Sequence, residues 1–151
     1  PLLSLRSGPD PVVSLMPAAA LNIACVCASN QNRSCEAHRA LLDAGYARVW
    51  SYGTGSKCRL PGKTRETANV YDFGTPYEEI AADLRAQDEA FYIDNLILPM
   101  LERNATIKKS PQKWQAEVSV QFDLVICYET RVFDAMLEDL MTRPSVDFRP
   151  C

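Results

Sequence analysis

The sequence predicts an α/β fold built on a parallel sheet. Short, nearly continuous apolar runs recur at 21–27 (LNIACVC), 48–52 (RVWSY) and 122–128 (FDLVICY). Such runs suit strands buried on both faces. Between the first two lies an amphipathic stretch, so strand, helix and strand fit within about 30 residues as a βαβ unit with a right-handed crossover. Further helical patterns separate the second strand from the third and follow the third. At 151 residues the chain is long enough for one domain with a real core.

Residues 1–15 carry three prolines and no lasting period. They read as an extension, predicted disordered, with Met16-Pro17 as a natural start. After the first strand and a tight loop, Ala37, Ala40, Leu41 and Ala44 fall at helical spacing and predict the buried face of a helix that Gly45 stops. The second strand leads into Gly53-Thr54-Gly55, a glycine-marked turn. Residues 56–65 (SKCRLPGKTR) hold four basic residues and no acid, with Pro61-Gly62 as a turn, and 69–73 (NVYDF) predicts a short returning strand. That basic stretch is either a solvated loop or the rim of an anion site.

Thr75, Pro76 and Glu78 read as N-cap, N1 and N3 of a capping box. Tyr77, Ile80, Ala81 and Leu84 then share one face, and the pattern runs on through Phe91 and Tyr92. Asn95 predicts the cap of a further helix over 96–103, with Pro99 tolerable near its first turn. Tyr92, Leu98, Met100 and Leu101 sit at core spacing. Residues 104–115 are polar and predict a loop. The last helix is expected over 130–141, burying Val132, Phe133, Met136, Leu137 and Leu140, and ending before Pro144.

A net charge of −3 argues against direct nucleic-acid binding by electrostatics. No apolar run approaches the roughly 18 residues of a membrane span. The six cysteines could pair, but Cys25, Cys27 and Cys127 lie in strand-like runs, which favours free thiols in a reducing compartment. A zinc set of Cys25, Cys27, Cys35 and His38 is disfavoured, because Cys25 and Cys27 are closer than the usual ligand pair. No metal or other cofactor is expected.

The chemistry concentrates in 27–34 (CASNQNRS). Cys27 alone among the cysteines has an arginine six residues on, and Ser34 follows it. A free thiol with a pKa of about 8.5 is only a few per cent thiolate at pH 7. Here the loop enters a helix N-terminus, where unpaired amides favour negative charge, and Ser34 can donate to the sulfur. The same amides suit phosphate oxygens, and the planar fork of Arg33 matches two of them. Asn30 and Asn32 tolerate the left-handed backbone of a curled loop. The pattern predicts covalent attack by Cys27 on a phosphate, then hydrolysis of the cysteinyl-phosphate. His38, the single histidine, reads as a partly exposed helix residue and not as a base.

This loop resembles that of the low-molecular-weight tyrosine phosphatase superfamily. More closely, the chain resembles the Ssu-type (suppressor-of-sua) phosphatases that act on the C-terminal domain of RNA polymerase II. The resemblance also rests on 36–38 (EAH), 51–55 (SYGTG), 60–62 (LPG), 69–73 (NVYDF), 100–104 (MLERN), 122–124 (FDL) and 131–134 (RVFD), in order over 16–143. It implies a three-layer α/β/α sandwich with strand order 2-1-3-4 and a small hairpin and helix insertion near the site. Residues 16–151 would form the phosphatase domain. The implied activity is removal of phosphate from the fifth-position serine of the polymerase heptad, with the following proline cis. Cys27 would be the nucleophile, Arg33 the clamp and Ser34 their partner. Ala28, Ser29, Asn30, Gln31 and Asn32 would hold the phosphate. Arg59, Pro61, Tyr92 and Met100 would line the substrate groove. The implied partners are the phosphorylated polymerase repeat and a symplekin-type scaffold of 3′-end processing, with no direct nucleic acid and no membrane, in the nucleus.

In that family the general acid is an aspartate beyond the stretch matching Arg149-Pro150, which is past Cys151. Asp147 lies upstream of it and takes no such role. The expectation is a truncated domain, its fourth strand missing, with an uncovered sheet edge that invites aggregation. Phosphoserine turnover would then suffer more than turnover of activated aryl phosphates. A binding module that holds phosphopeptide or scaffold without turnover is the alternative. A thiol-redox enzyme of the arsenate-reductase kind would need resolving cysteines in mobile positions, and Cys25 and Cys35 lie in a strand and a helix.

Overall fold

A computed structural model describes residues 20–64 and 66–144. The expected extension, the start at Met16, Arg65 of the basic stretch, and Asp147 through Cys151 lie outside the described residues. The elements run β1 (Ile23–Cys27), α1 (Arg33–Asp43), β2 (Val49–Gly53), β3 (Cys58–Leu60), β4 (Asn69–Tyr71), α2 (Tyr77–Asp94), α3 (Ile97–Ile107), β5 (Leu124–Cys127) and α4 (Thr130–Thr142). No helix among the described residues is long and apolar enough to cross a membrane.

The predicted order holds: β1 is the centre of a parallel sheet, β2-β1-β5. Ile23 pairs with Val49 on one side and with Leu124 on the other. Every residue of β1 is buried, because both faces are covered. Ala24 and Val26 point to one face, where they pack with Tyr52, Trp114, Val132 and Met136. The other face carries α1, and beyond it the helices α2 and α3 share a core that includes Leu60 of the hairpin and Cys35. β3 and β4 form the expected antiparallel hairpin, with Cys58 opposite Tyr71.

Five local expectations change. First, α1 buries Ser34, Cys35 and His38, whereas Ala40 and Ala44 are exposed. Apolar spacing misplaces this stripe because the inner face of α1 is polar and abuts hydrogen-bonding groups. The helix does stop at Gly45, with φ +91°; Gly45 N–H donates to Leu42 O and Tyr46 N–H to Leu41 O, a Schellman pair. Second, Thr75 forms no cap: Pro76, at ψ 140°, is the N-cap, and Tyr77 N–H donates instead to Lys109 O at 3.0 Å.

Third, Asn95 closes α2 instead of opening α3, its Nδ2 donating to Phe91 O at 2.8 Å. Leu96 precedes α3 with φ +60°. Within α2, Asp88 is non-helical, and its carboxylate accepts from Phe91 N–H as a second cap. Fourth, α3 runs on to Ile107, and Trp114–Ala116 is a 3-10 turn, so 104–115 is only partly loop. Tertiary contacts of Asn104 and Trp114, both fully buried, hold polar sequence in regular structure.

Fifth, α4 buries Val132 and Met136, whereas Phe133 and Leu137 are 47% and 41% exposed. The buried pair, one turn apart, meets Trp114; the exposed pair is the neighbouring stripe. Among the described residues β5 is an edge strand, and its Leu124 is also half exposed.

Candidate active site

Residues 28–32 leave the carboxyl end of β1 and enter α1. In the order β2-β1-β5 the chain departs to opposite sides of β1, which is the switch point where open α/β sheets bind ligands. The loop is pinned by its carbonyls. Thr54 N–H donates to Cys27 O at 2.9 Å, and Gly55 N–H to Ala28 O at 2.8 Å. Tyr77 Oη donates to Asn30 O, Asn104 Nδ2 to Gln31 O at 2.5 Å, and Glu36 N–H to Asn32 O at 2.8 Å. In a planar trans peptide the next N–H points the opposite way. The amides of Ala28, Ser29, Gln31, Asn32 and Arg33 therefore point away from those partners, the arrangement an anion-binding nest requires. Gly53 permits this approach: a Cβ there would stand 2.7 Å from Ala28 O.

Asn30 is the hub. It is fully buried with φ +50°, a conformation asparagine tolerates better than most residues. Its Oδ1 accepts from Lys108 Nζ at 2.6 Å and from Gln112 N–H at 2.8 Å. Two donors on one side fix the amide orientation. Nδ2 must then donate to Ser34 Oγ, 3.0 Å away. Ser34 Oγ lies 3.0 Å from Cys27 Sγ, and toward a thiolate, which has no proton to give, the Ser34 hydroxyl is the donor. Asn30 N–H, at 3.2 Å, also donates to Cys27 Sγ. Two donors thus converge on one sulfur.

The other described cysteines are free but differently placed. Burial pushes the Cys25 thiol up to about 11 and Cys58 to about 12. It raises Cys35 and Cys127 as well, so all four stay protonated at neutral pH. Cys35 Sγ faces Tyr77 Oη at 3.4 Å, and His38 Nδ1 faces Ser51 Oγ at 3.1 Å. Their side chains are thus engaged elsewhere than on a common point with Cys27, and among the described residues no three His, Cys, Asp or Glu side chains cluster as metal ligands.

Arg33 Nη1 donates to Tyr128 O at 3.0 Å and to Glu129 Oε2 at 3.3 Å. Both follow β5 at the end of the sheet that bears Cys27. The hydrogen bond from Arg33 holds the Glu129 carboxyl below the usual carboxylate range, with Arg131 adding to it. The hairpin reaches the loop by Arg59, whose N–H donates to Ser29 Oγ at 3.4 Å and whose carbonyl accepts from Gln31 Nε2. Lys57 pairs with Asp72, and Lys63 with Asp88 at 2.5 Å, so two of the three described cations of the basic stretch are neutralised; Arg59 has no acidic partner among the described residues.

A groove of about 570 Å³ runs from Gln31 and Asn32 past Pro61 to Leu96, Met100 and Arg103. Pro61 and Met100 line it. Tyr92 does not: it is buried, with its hydroxyl accepting from Asn69 Nδ2 at 2.8 Å and donating to Gln87 Oε1 at 3.1 Å. Asn69 Nδ2 in turn lies 3.4 Å from Pro61 O, so Tyr92 supports the groove wall from behind.

His38 is buried, not partly exposed as the sequence suggests, because it sits one turn past Ser34 on the inner face. Burial, and then the Lys108 charge, lowers its pKa to about 4. Between pH 6.5 and 4 the unfolded chain binds a proton that the native chain does not, so stability falls on acidification across that window. The full loss is about 3 kcal/mol. Urea denaturation at pH 7 and pH 5 should show that loss developing, and His38→Asn should flatten it; an unchanged pH slope in the variant contradicts the assignment.

Sequence reasoning did not find Asn104, Lys108, Gln112 or Tyr77 as parts of this site. The first three lie in a stretch that reads as polar loop, and Tyr77 reads as core. Asn104 closes the 100–104 stretch (MLERN), the one signal that could have marked it.

A family model described as Ssu72-like protein matches residues 21–151. The RNA polymerase II C-terminal domain phosphatase SSU72 of Dictyostelium discoideum is 48% identical over 121 residues, 80% of this chain and 56% of its own length. Its counterpart from Schizosaccharomyces pombe is 48% identical over 136 residues, 90% of this chain and 68% of its own. A solved structure of Drosophila melanogaster Ssu72 with Symplekin holds a cis peptidomimetic of the polymerase C-terminal domain, phosphorylated on the fifth-position serine. It superposes with a TM-score of 0.82 at 44% identity. That match covers 87% of this chain and 67% of the other. The chain thus spans about half to two thirds of the proteins it matches.

Proposed function

Because this chain belongs to the Ssu72-like protein family, we propose that it is a cysteine-dependent phosphatase of phosphoserine in the C-terminal repeat of RNA polymerase II. One observation carries the reading: Cys27 Sγ accepts from Asn30 N–H at 3.2 Å and lies 3.0 Å from Ser34 Oγ, the hydroxyl placed to donate to it once it is a thiolate. The thiolate attacks phosphorus in line, the S–P bond forms, and the P–O bond to the seryl oxygen breaks. That oxygen leaves with a proton from a general acid. Water then cleaves the cysteinyl-phosphate. The loop amides and Arg33 hold the phosphoryl oxygens as charge builds on them.

The groove beside Gln31 and Asn32, with Pro61 and Met100 in its walls, is assigned to the peptide around the phosphoserine. By likeness to the Drosophila complex, the substrate is the fifth-position phosphoserine with its following proline cis, and the scaffold partner is of the symplekin type. Such a substrate places the protein's work in the nucleus.

Heptad peptides phosphorylated at single positions test this directly. Fifth-position phosphopeptide should be hydrolysed fastest, and acid quench during turnover should trap phosphate on Cys27. A chain that only binds phosphopeptide traps none, and turnover restricted to phosphotyrosine would sink the assignment.

A further inference from the structure

Lys108 is a half-buried cation with no acidic partner among the described residues. Its ammonium donates to Asn30 Oδ1 at 2.6 Å, to Gln112 Oε1 at 3.0 Å and to Ser51 O, and lies 5.7 Å from the centre of the Tyr52 ring. All four partners are neutral. Among the described residues it forms no ion pair. Burying an unpaired ammonium is costly, and burial lowers the Lys108 pKa to about 8.

The titratable groups around it come from four elements: Cys27 from β1, Cys35 and His38 from α1, Tyr52 from β2 and Tyr77 from α2. Burial raises Cys35, Tyr52 and Tyr77, which stay protonated, and keeps His38 neutral. The anions left to meet this charge are the Cys27 thiolate and a phosphoryl group on the loop amides.

We propose that Lys108 is a positioning residue whose ammonium is the counter-charge of that thiolate and phosphoryl group, acting through the Asn30 amide that it orients. With Oδ1 held by Lys108, Asn30 Nδ2 donates to Ser34 Oγ, whose hydroxyl can then donate to the Cys27 thiolate. The inference rests on the reading of Cys27 as nucleophile. A neutral amine has two N–H groups for three acceptors, so one of these contacts is lost when Lys108 deprotonates.

The test uses the full chain and neutral iodoacetamide, which feels no pull from the lysine. Alkylation of Cys27 at pH 7 should slow about tenfold in Lys108→Met, equal to about 1.4 kcal/mol. Lys108→Arg keeps the charge and should stay within roughly threefold. A folded Lys108→Met, by near-UV circular dichroism, that alkylates at the wild-type rate overturns the proposal. Should that variant not fold, the ¹³Cε shift of Lys108 decides instead. Its titration midpoint should fall in Cys27→Ala and rise with inorganic phosphate, and a midpoint that neither change moves overturns the proposal. Neither readout depends on turnover. Failure of the phosphatase reading is recognised separately, by phosphopeptide hydrolysis that survives loss of the Cys27 thiol.

Discussion

Cys27→Ser is expected to lower phosphoserine hydrolysis by at least about 10³-fold while the protein stays folded. A seryl hydroxyl is not ionised at neutral pH, and the two donors on Cys27 Sγ, from Asn30 N–H and Ser34, stabilise an anion that serine does not supply. The swap is nearly isosteric in a buried site, so the thermal midpoint should move by only a few degrees. Phosphocysteine trapped in the wild-type protein should be absent from the variant. Hydrolysis at the wild-type rate, with no covalent intermediate in either protein, would remove Cys27 from the mechanism.

Asn30→Ala should damage stability and activity together. It leaves Gln112 N–H without its acceptor and Lys108 with one acceptor fewer. It also puts alanine at φ +50°. Orphaned buried donors cost about 1–3 kcal/mol each and left-handed backbone about 1–2, not additively. A net loss of about 3 kcal/mol is expected, a fall in thermal midpoint of roughly 6–12 °C for a chain of this size. Activity should drop by about one to two orders of magnitude, because Ser34 loses the donor that directs its proton to sulfur. Asn30→Gly relieves only the backbone strain, so it should recover part of the stability and little of the activity. Equal recovery of both would mean that Asn30 serves the loop's shape and not its hydrogen bonding.

Much of the frame was legible from local pattern. The three sheet strands are the three apolar runs, and each lies within or beside the stretch that predicts it. Tyr77, Ile80, Ala81 and Leu84 are buried together as their spacing requires. Gly45 ends α1 because no other residue takes its conformation so cheaply. Errors arose where a polar residue is drawn inward by its partners: His38 and Asn104, which are buried, and Lys108, which is half-buried, look solvated in sequence, and nothing local says otherwise. Thr75 and Asn95 are good caps whose places were taken, by Lys109 O for one helix start and by the end of the preceding helix for the other.

By itself the sequence determined the order of elements, the position of Cys27 at the end of a buried strand, and an arginine and a serine at the start of the following helix. Those follow from hydrophobic period and short-range spacing, which act over a few residues. Only the tertiary structure decided which way the Asn30 amide faces, where the loop carbonyls find donors, and that a lysine 81 positions beyond Cys27 donates to its loop. The physical reason is the same in each case. A buried polar group must be paired, and its partners here come from strands and helices far apart in the chain, so the pairing exists only once the sheet has brought them together.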